Sequence, residues 1–266
     1  MKGENMNFLK KDLAPLTNKA WEEIEEQARI TLNNNLTARK FLTIAEPKGW
    51  EFPGLSTGRL AEINKEKQLN YGIREFKPVV EIRTEFELDI WEMDNAERGA
   101  ADIELAPLEE AAETAAKFED KAIYKGFKQA NIVGLVKSAE DSLILDTKNW
   151  GKTIGEAILK MKNNAIKPPY ALILGEELWK ELVSEVKGYP VKRHIENLID
   201  GPIISTPAIK DGLLVQLNSE DLVLTPGQDF SIGYQNHTDK KVKLFLTETF
   251  TFSVFEPKAI LHLKTK

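Results

Sequence analysis

Apolar and polar positions along the chain fall into patterns with different periods. Residues 18–32 predict a helix, because Trp21, Ile24, Ala28 and Leu32 recur at spacings of three and four and form one apolar stripe. Thr17 is placed to cap it, and Pro15 stops helix before it. Residues 79–91 (VVEIRTEFELDIW) alternate instead. Val80, Ile82, Phe86, Leu88 and Ile90 share one phase, and Glu81, Arg83, Glu85, Glu87 and Asp89 the other. A period of two predicts a strand with one buried and one charged face. Residues 241–255 predict a second long strand, with Val242, Leu244, Leu246, Phe250, Phe252 and Val254 in phase. Residues 107–129 predict a long helix through Leu108, Ala111, Ala115, Phe118, Ala122 and Gly126, with Pro107 in its first turn.

Residues 46–58 are rich in Gly, Pro, Ser and Thr and read as loop. Short extended runs at 59–63 and 69–73 flank the polar NKEKQ and predict a hairpin too polar to own a core. From about 137 to 225 the pattern shortens. Thr153-x-x-Glu156 reads as a capping box opening a helix, 170–174 as a strand, and 176–186 and 191–199 as helices broken by KGYP. Strand-like runs follow at 202–209, 213–217 and 222–224. The class is α+β. The predicted domains are an N-terminal part (1–50), a hairpin (51–78), a region with the long helix (79–136), an inserted mixed block (137–225) and a C-terminal strand region (226–266).

Composition narrows the function. The 266 residues carry 36 Lys plus Arg against 42 Asp plus Glu, a net charge of −6. No short window is Lys/Arg-rich, which argues against nucleic acid as a partner. Cysteine is absent, so thiol nucleophiles, thiolate metal sites and disulfides are excluded. No long uncharged apolar stretch predicts a membrane span, and the charges at Lys2, Glu4, Lys10, Lys11 and Asp12 fit no secretory leader. Walker A, G-x-G-x-x-G, G-x-S-x-G and H-E-x-x-H are all missing, and His194, His237 and His262 stand alone. No catalytic residue and no metal ligand is predicted. Two residues break the pattern. Trp91 falls in the polar phase of its strand, which suits either a contact with another segment or subunit, or a stacking platform for a planar ligand. Glu248 falls in an apolar phase and calls for an Arg or Lys partner in a structural ion pair.

Six blocks then carry a resemblance. MNFLKKDLAPLTNKAWEEIEEQAR (6–29), ARKF and GW (38–41, 49–50), LDIWEMDNAERG (88–99), FEDKAIYKG (118–126), GQDFSIGY (227–234) and LTETFTF (246–252) together, in this order, resemble encapsulins, the shell proteins of bacterial and archaeal nanocompartments. The resemblance implies the tailed-phage major-capsid (Hong Kong 97-like) fold. Its parts would be an N-terminal helix, an E-loop at about 51–78, a P-domain whose spine helix is 107–129, and an inserted A-domain. It implies a non-enzymatic, self-assembling icosahedral shell, T=1 in the simplest case, in the cytoplasm. Such shells enclose cargo enzymes, ferritin-like iron-storage proteins or dye-decolorising peroxidases, through the cargo's C-terminal targeting peptide. Carried over by motif, Arg39, Phe41, Asp229, Phe230, Ile232 and Tyr234 are expected to bind that peptide, Phe230 departing from the leucine usual there. Lys187 and Tyr189 are expected to line a pore. No cofactor is required, but Trp91 and Arg83 are expected to hold a flavin (FMN or riboflavin) in members that bind one. Two rival readings remain. One is a phage or prophage capsid protein, against which the short N-terminus argues. The other is a protease- or bacteriocin-type enzyme, for which no residues are found.

Overall fold

A computed structural model describes residues 8–185 and 190–265. In chain order the elements are α1 (Asn18–Asn35), β1 (Thr43–Ile44), β2 (Gly54–Glu66), β3 (Leu69–Pro78), β4 (Val80–Asp89), α2 (Ile90–Arg98), α3 (Ala106–Lys125) and α4 (Leu135–Ser138). Then come β5 (Asp141–Ile144), α5 (Trp150–Asn163), β6 (Tyr170–Gly175), α6 (Glu176–Ser184) and α7 (Val191–Ile199). The chain ends with β7 (Ile203–Thr206), β8 (Gly212–Gln216), β9 (Leu222–Pro226), β10 (Ser231–His237), β11 (Lys241–Val254) and β12 (Ile260–Lys264).

Strand β11 organises the first sheet. One of its edges pairs antiparallel with β4 from Lys241↔Asp89 to Phe250↔Val80. Its other edge takes β10 along its first half and β9 along its last residues, and β1 lies parallel to β9. The second sheet runs β5-β12-β8-β6-β7. Strand β12 therefore leaves the region of β11 and joins the mixed block, between β5 and β8. In the opposite direction, β9 belongs to the first sheet, although its sequence adjoins that block.

Two apolar cores follow. One packs α1, α2 and the first half of α3 on β4, β10 and β11, through Ile24, Leu108, Ala112, Leu88 and Leu244. The other surrounds the second sheet and takes Ala122, Ile123 and Tyr124 from the last half of α3. Helix α3 thus joins both cores. Its many alanines permit this, because small side chains let two layers approach one helix. It ends at Lys125, short of the predicted 129. Gly126 adopts φ +90, and a Cβ there would lie 2.3 Å from the Val133 carbonyl oxygen. Only glycine fits, and the helix stops.

Three other expectations need correction. Strand β4 ends at Asp89, whose side chain accepts from the Trp91 and Glu92 amides and starts α2. Trp91 is thus a helical residue, not the last residue of a strand. Thr153 does not open α5, which begins at Trp150. Thr153 is buried within the helix, and its hydroxyl accepts from the Asp146 amide at 3.4 Å. The hairpin is longer than predicted, 13 and 10 residues closed by Lys67 and Gln68. Asn64, Lys65 and Glu66, read from the sequence as part of the turn, belong to β2, and only Lys67 and Gln68 turn the chain.

Candidate functional site

The expected peptide-binding residues divide between a groove and the interior. A groove of about 380 Å³ runs between α1 and the start of β10. Its apolar lining includes Ala28, Leu32, Phe230 and Ile232, and its charged lining includes Lys11, Arg29, Arg39 and Asp229. The helix–strand pairing explains the mixture. Ala28, Leu32 and Ile232 are buried members of the first core that reach the floor of the groove, and Phe230 packs against that core. Thr17 fixes the start of α1 by accepting from the Ala20 amide at 3.2 Å.

Four expected residues, Arg39, Asp229, Phe230 and Ile232, meet in this groove. Phe41 does not. It is fully buried in the second core, its ring centroid 6.1 Å from that of Tyr124. Tyr234 lies farther along β10, its hydroxyl 2.6 Å from His237 Nδ1, in a small cavity with Phe8, Arg83 and Phe245. Lys187 and Tyr189 lie outside the described residues.

Behind the groove, Arg39 is the hub of an ionic network. Its Nε donates to Glu119 at 3.0 and 3.1 Å, and its Nη1 donates to Asp229 at 2.9 Å. Its Nη2 donates to Glu119 at 2.6 Å and to Glu248 at 2.5 Å. Glu119 and Glu248 are fully buried. The partner that Glu248 demands is therefore Arg39. Three carboxylates surround one guanidinium, so full ionisation would leave excess negative charge in the interior. Burial, and then Glu119 beside it, push Glu248 well above the usual carboxylate range. The carboxylates hold Arg39 charged against a burial that opposes charge. The guanidinium also covers the Phe230 ring, 5.0 Å from its centroid, and so fixes one wall of the groove. Glu119 escaped the sequence reading, yet it had a signal. It sits on the apolar stripe of α3, four residues after Ala115 and four before Ile123.

The adjacent residue on α3, Asp120, anchors the turn after α1. It accepts from the Thr37 amide at 3.0 Å, the Thr37 hydroxyl at 2.6 Å and the Ala38 amide at 3.0 Å. Burial outweighs these bonds and raises its pKa to about 6. The folded state then binds a proton between about pH 4 and pH 6 that the unfolded chain has released. Stability from this group falls as pH rises through that window, by on the order of 3 kcal/mol. Asp120→Asn removes this slope. The check is the denaturation midpoint at several pH values, where the wild type minus variant difference shrinks from acid to neutral.

Trp91 and Arg83 do not share a site within one subunit. The Arg83 guanidinium stacks 3.9 Å from the Phe245 ring centroid and 5.2 Å from that of Phe8. Phe245 in turn lies flat on Gly233, where a Cβ would be 2.2 Å from the ring. Six strand residues, roughly 20 Å, separate Arg83 from the start of α2. There Trp91 stands 71% exposed. No helix among the described residues is long and apolar enough to cross a membrane, and no acidic or histidine group among them could hold a metal ion.

The projecting hairpin is the other unpartnered feature. Ile63 (73%), Leu69 (63%) and Ile73 (65%) are largely exposed, and Leu60 and Tyr71 are exposed as well. The register places Leu69, Tyr71 and Ile73 on one face and Leu60 and Ile63 on the other.

Comparison with known proteins places this geometry. A family model described as an encapsulating protein for peroxidase matches residues 6–251. A type 1 encapsulin shell protein of Rhodospirillum rubrum is 35% identical over 97% of both chains. One from Mycobacterium tuberculosis is 33% identical over 97% of this chain and 99% of that protein. Among solved structures, the virus-like particle from Pyrococcus furiosus superposes with a TM-score of 0.65 at 17% identity, over 92% of this chain and 99% of that one. The capsid of Myoviridae phage XM1 gives 0.58 at 14% identity, over 87% and 92%. These two likenesses establish the tailed-phage capsid fold. With matches along nearly its whole length, the chain belongs to the type 1 encapsulin shell proteins, which are structural, capsid-like components and not enzymes.

Proposed function

We propose that the chain assembles into a closed icosahedral shell, in the simplest T=1 arrangement, that encloses cargo enzymes in the cytoplasm. The hairpin β2–β3 carries this reading. A two-stranded ribbon is marginal in water on its own, and this one exposes large apolar side chains on both faces. A ribbon apolar on both sides suits burial between other copies of the chain. Light scattering of the purified chain at low micromolar concentration tests the reading. A single large species supports it, and a stable monomer refutes it.

The groove between α1 and β10 is the proposed seat of the cargo's C-terminal peptide. Its apolar floor suits apolar side chains of an extended segment, and its rim carries the ion pair Lys11–Glu25 and Arg29, which pairs with Glu26. A peroxidase cargo agrees with the description of the matching family model, and a ferritin-like iron-storage cargo is the other candidate. Phe230 is half-buried and packs on the first core only in part, so its loss is tolerated by the fold. Phe230→Ala is expected to leave shells intact and to lower cargo occupancy about tenfold, which corresponds to roughly 1.4 kcal/mol. Densitometry of cargo co-purified with shells reads the effect, and unchanged occupancy removes Phe230 from the peptide site.

Flavin binding (FMN or riboflavin) is the proposed use of Trp91. The exposed indole fits a stacking role, whereas Arg83 is committed to Phe245 and Phe8. A shared site for Trp91 and Arg83 would need a neighbouring subunit to bring them together. Shells of the wild type are then yellow and those of Trp91→Ala colourless. A colourless wild type that ignores added flavin assigns the indole to a subunit contact instead.

A further inference from the structure

A second cavity, about 620 Å³, opens between the last half of α3, the end of α1 and the turn after β7. We propose that it binds a small multivalent oxyanion of the phosphate class, held mainly by Lys121 and Lys125.

The walls carry the argument. Lys117, Lys121 and Lys125 all line the cavity, one helical turn apart along the same face of α3. Like charges at this spacing destabilise a helix unless something lies between them. The helix dipole favours cations only in the last turn, which accounts for Lys125 but not for Lys117 or Lys121. Glu113 pairs with Lys117 at 2.7 Å. No carboxylate among the described residues lies within ion-pair distance of Lys121 or Lys125. The nearest acid on their own helix, Asp120, points both oxygens at Thr37 and Ala38. Asn34 and Ser205 add an amide and a hydroxyl to the lining, and two acidic residues also line the cavity, Asp120, whose oxygens are taken up by Thr37 and Ala38, and Glu176 on the far wall.

Consecutive lysines on one helix face stand about 6 Å apart along the axis. Two flexible ammonium groups at that separation converge on the oxygens of one tetrahedral anion. The chain as a whole is acidic, with a net charge of −6, so Lys121 and Lys125 are not part of a general basic surface. A duplex needs a longer basic footprint than one surface cavity offers, so a small anion fits better.

The test uses the full-length chain in its purified assembled state. Inorganic phosphate is titrated against it at constant ionic strength with chloride as the compensating anion, and followed by phosphorus NMR line broadening. Sulfate serves as a competitor. Saturable binding is expected, with sulfate displacing phosphate. The variant K121Q/K125Q should weaken binding about tenfold, and K162Q/K167Q at the end of α5 should leave it unchanged. If K121Q/K125Q fails to assemble, K121R/K125R keeps the charge and must keep the binding, while K125Q alone must weaken it. No saturable binding at millimolar phosphate, or equal binding by K121Q/K125Q and the wild type, overturns the proposal.

Discussion

Replacing Ile63, Leu69 and Ile73 together by aspartate is expected to yield a folded subunit that forms no particles. All three side chains stand mostly in solvent in the single chain. Surface substitutions of this kind change folding stability by about 0.5 kcal/mol or less each. Covered by a neighbouring copy, each would bury an aliphatic side chain for roughly 1.5–3 kcal/mol, and so about 5–9 kcal/mol per subunit. The variant loses that contribution and adds three carboxylates to an apolar contact. Circular dichroism should remain that of the wild type, while size-exclusion chromatography should show only small species. Normal particles from the triple variant would show that the hairpin is not what holds subunits together.

Arg39→Ala is expected to be the most damaging single substitution inside the fold. It leaves Glu119 and Glu248 buried without their cation and frees the Phe230 ring. Removing one partner from a buried ionic network costs about 3–5 kcal/mol, a large part of a typical folding stability of about 5–15 kcal/mol. Glu248→Gln alone should be mild, because Arg39 keeps Glu119 and Asp229 as carboxylate partners. Arg39→Ala combined with Glu248→Gln should recover part of the loss, since one buried carboxylate has gone. Denaturant midpoints of the four proteins in this cycle measure the coupling. An Arg39→Ala protein as stable as the wild type would refute the role given to the network.

What the sequence made legible follows from which forces act locally. Helix α1, its Thr17 cap and the strands β4 and β11 were readable because one face of each packs on a core. Their apolar period then survives in the sequence. The partner of Glu248 was foreseeable as a cation for the same reason, since an acid in an apolar phase cannot stay unpaired. Its identity was not, because Arg39 lies 209 residues away and only the fold brings them together. Strand β10 was missed, although Ile232 and Tyr234 share a phase. Strand β12 was missed because it is five residues long and takes its partners from the inserted block. Trp91 was misplaced by continuing an alternation past Asp89, where a side-chain cap had already begun a helix. At the groove, the family motifs led to Asp229, Phe230 and Ile232, but motif proximity also drew in Phe41, which the structure buries. Glu119 was marked by its place on the apolar stripe of α3, whereas Asp120 was visible only as a charge on a long helix, and the role of each comes from what α3 packs against.

The central claim is that this chain builds a closed shell. Negative-stain electron microscopy of the purified protein, after size-exclusion chromatography, tests it most directly. Uniform hollow particles eluting near the void volume are the predicted result. A discrete monomer or dimer, with no particles at micromolar concentration, would contradict the account.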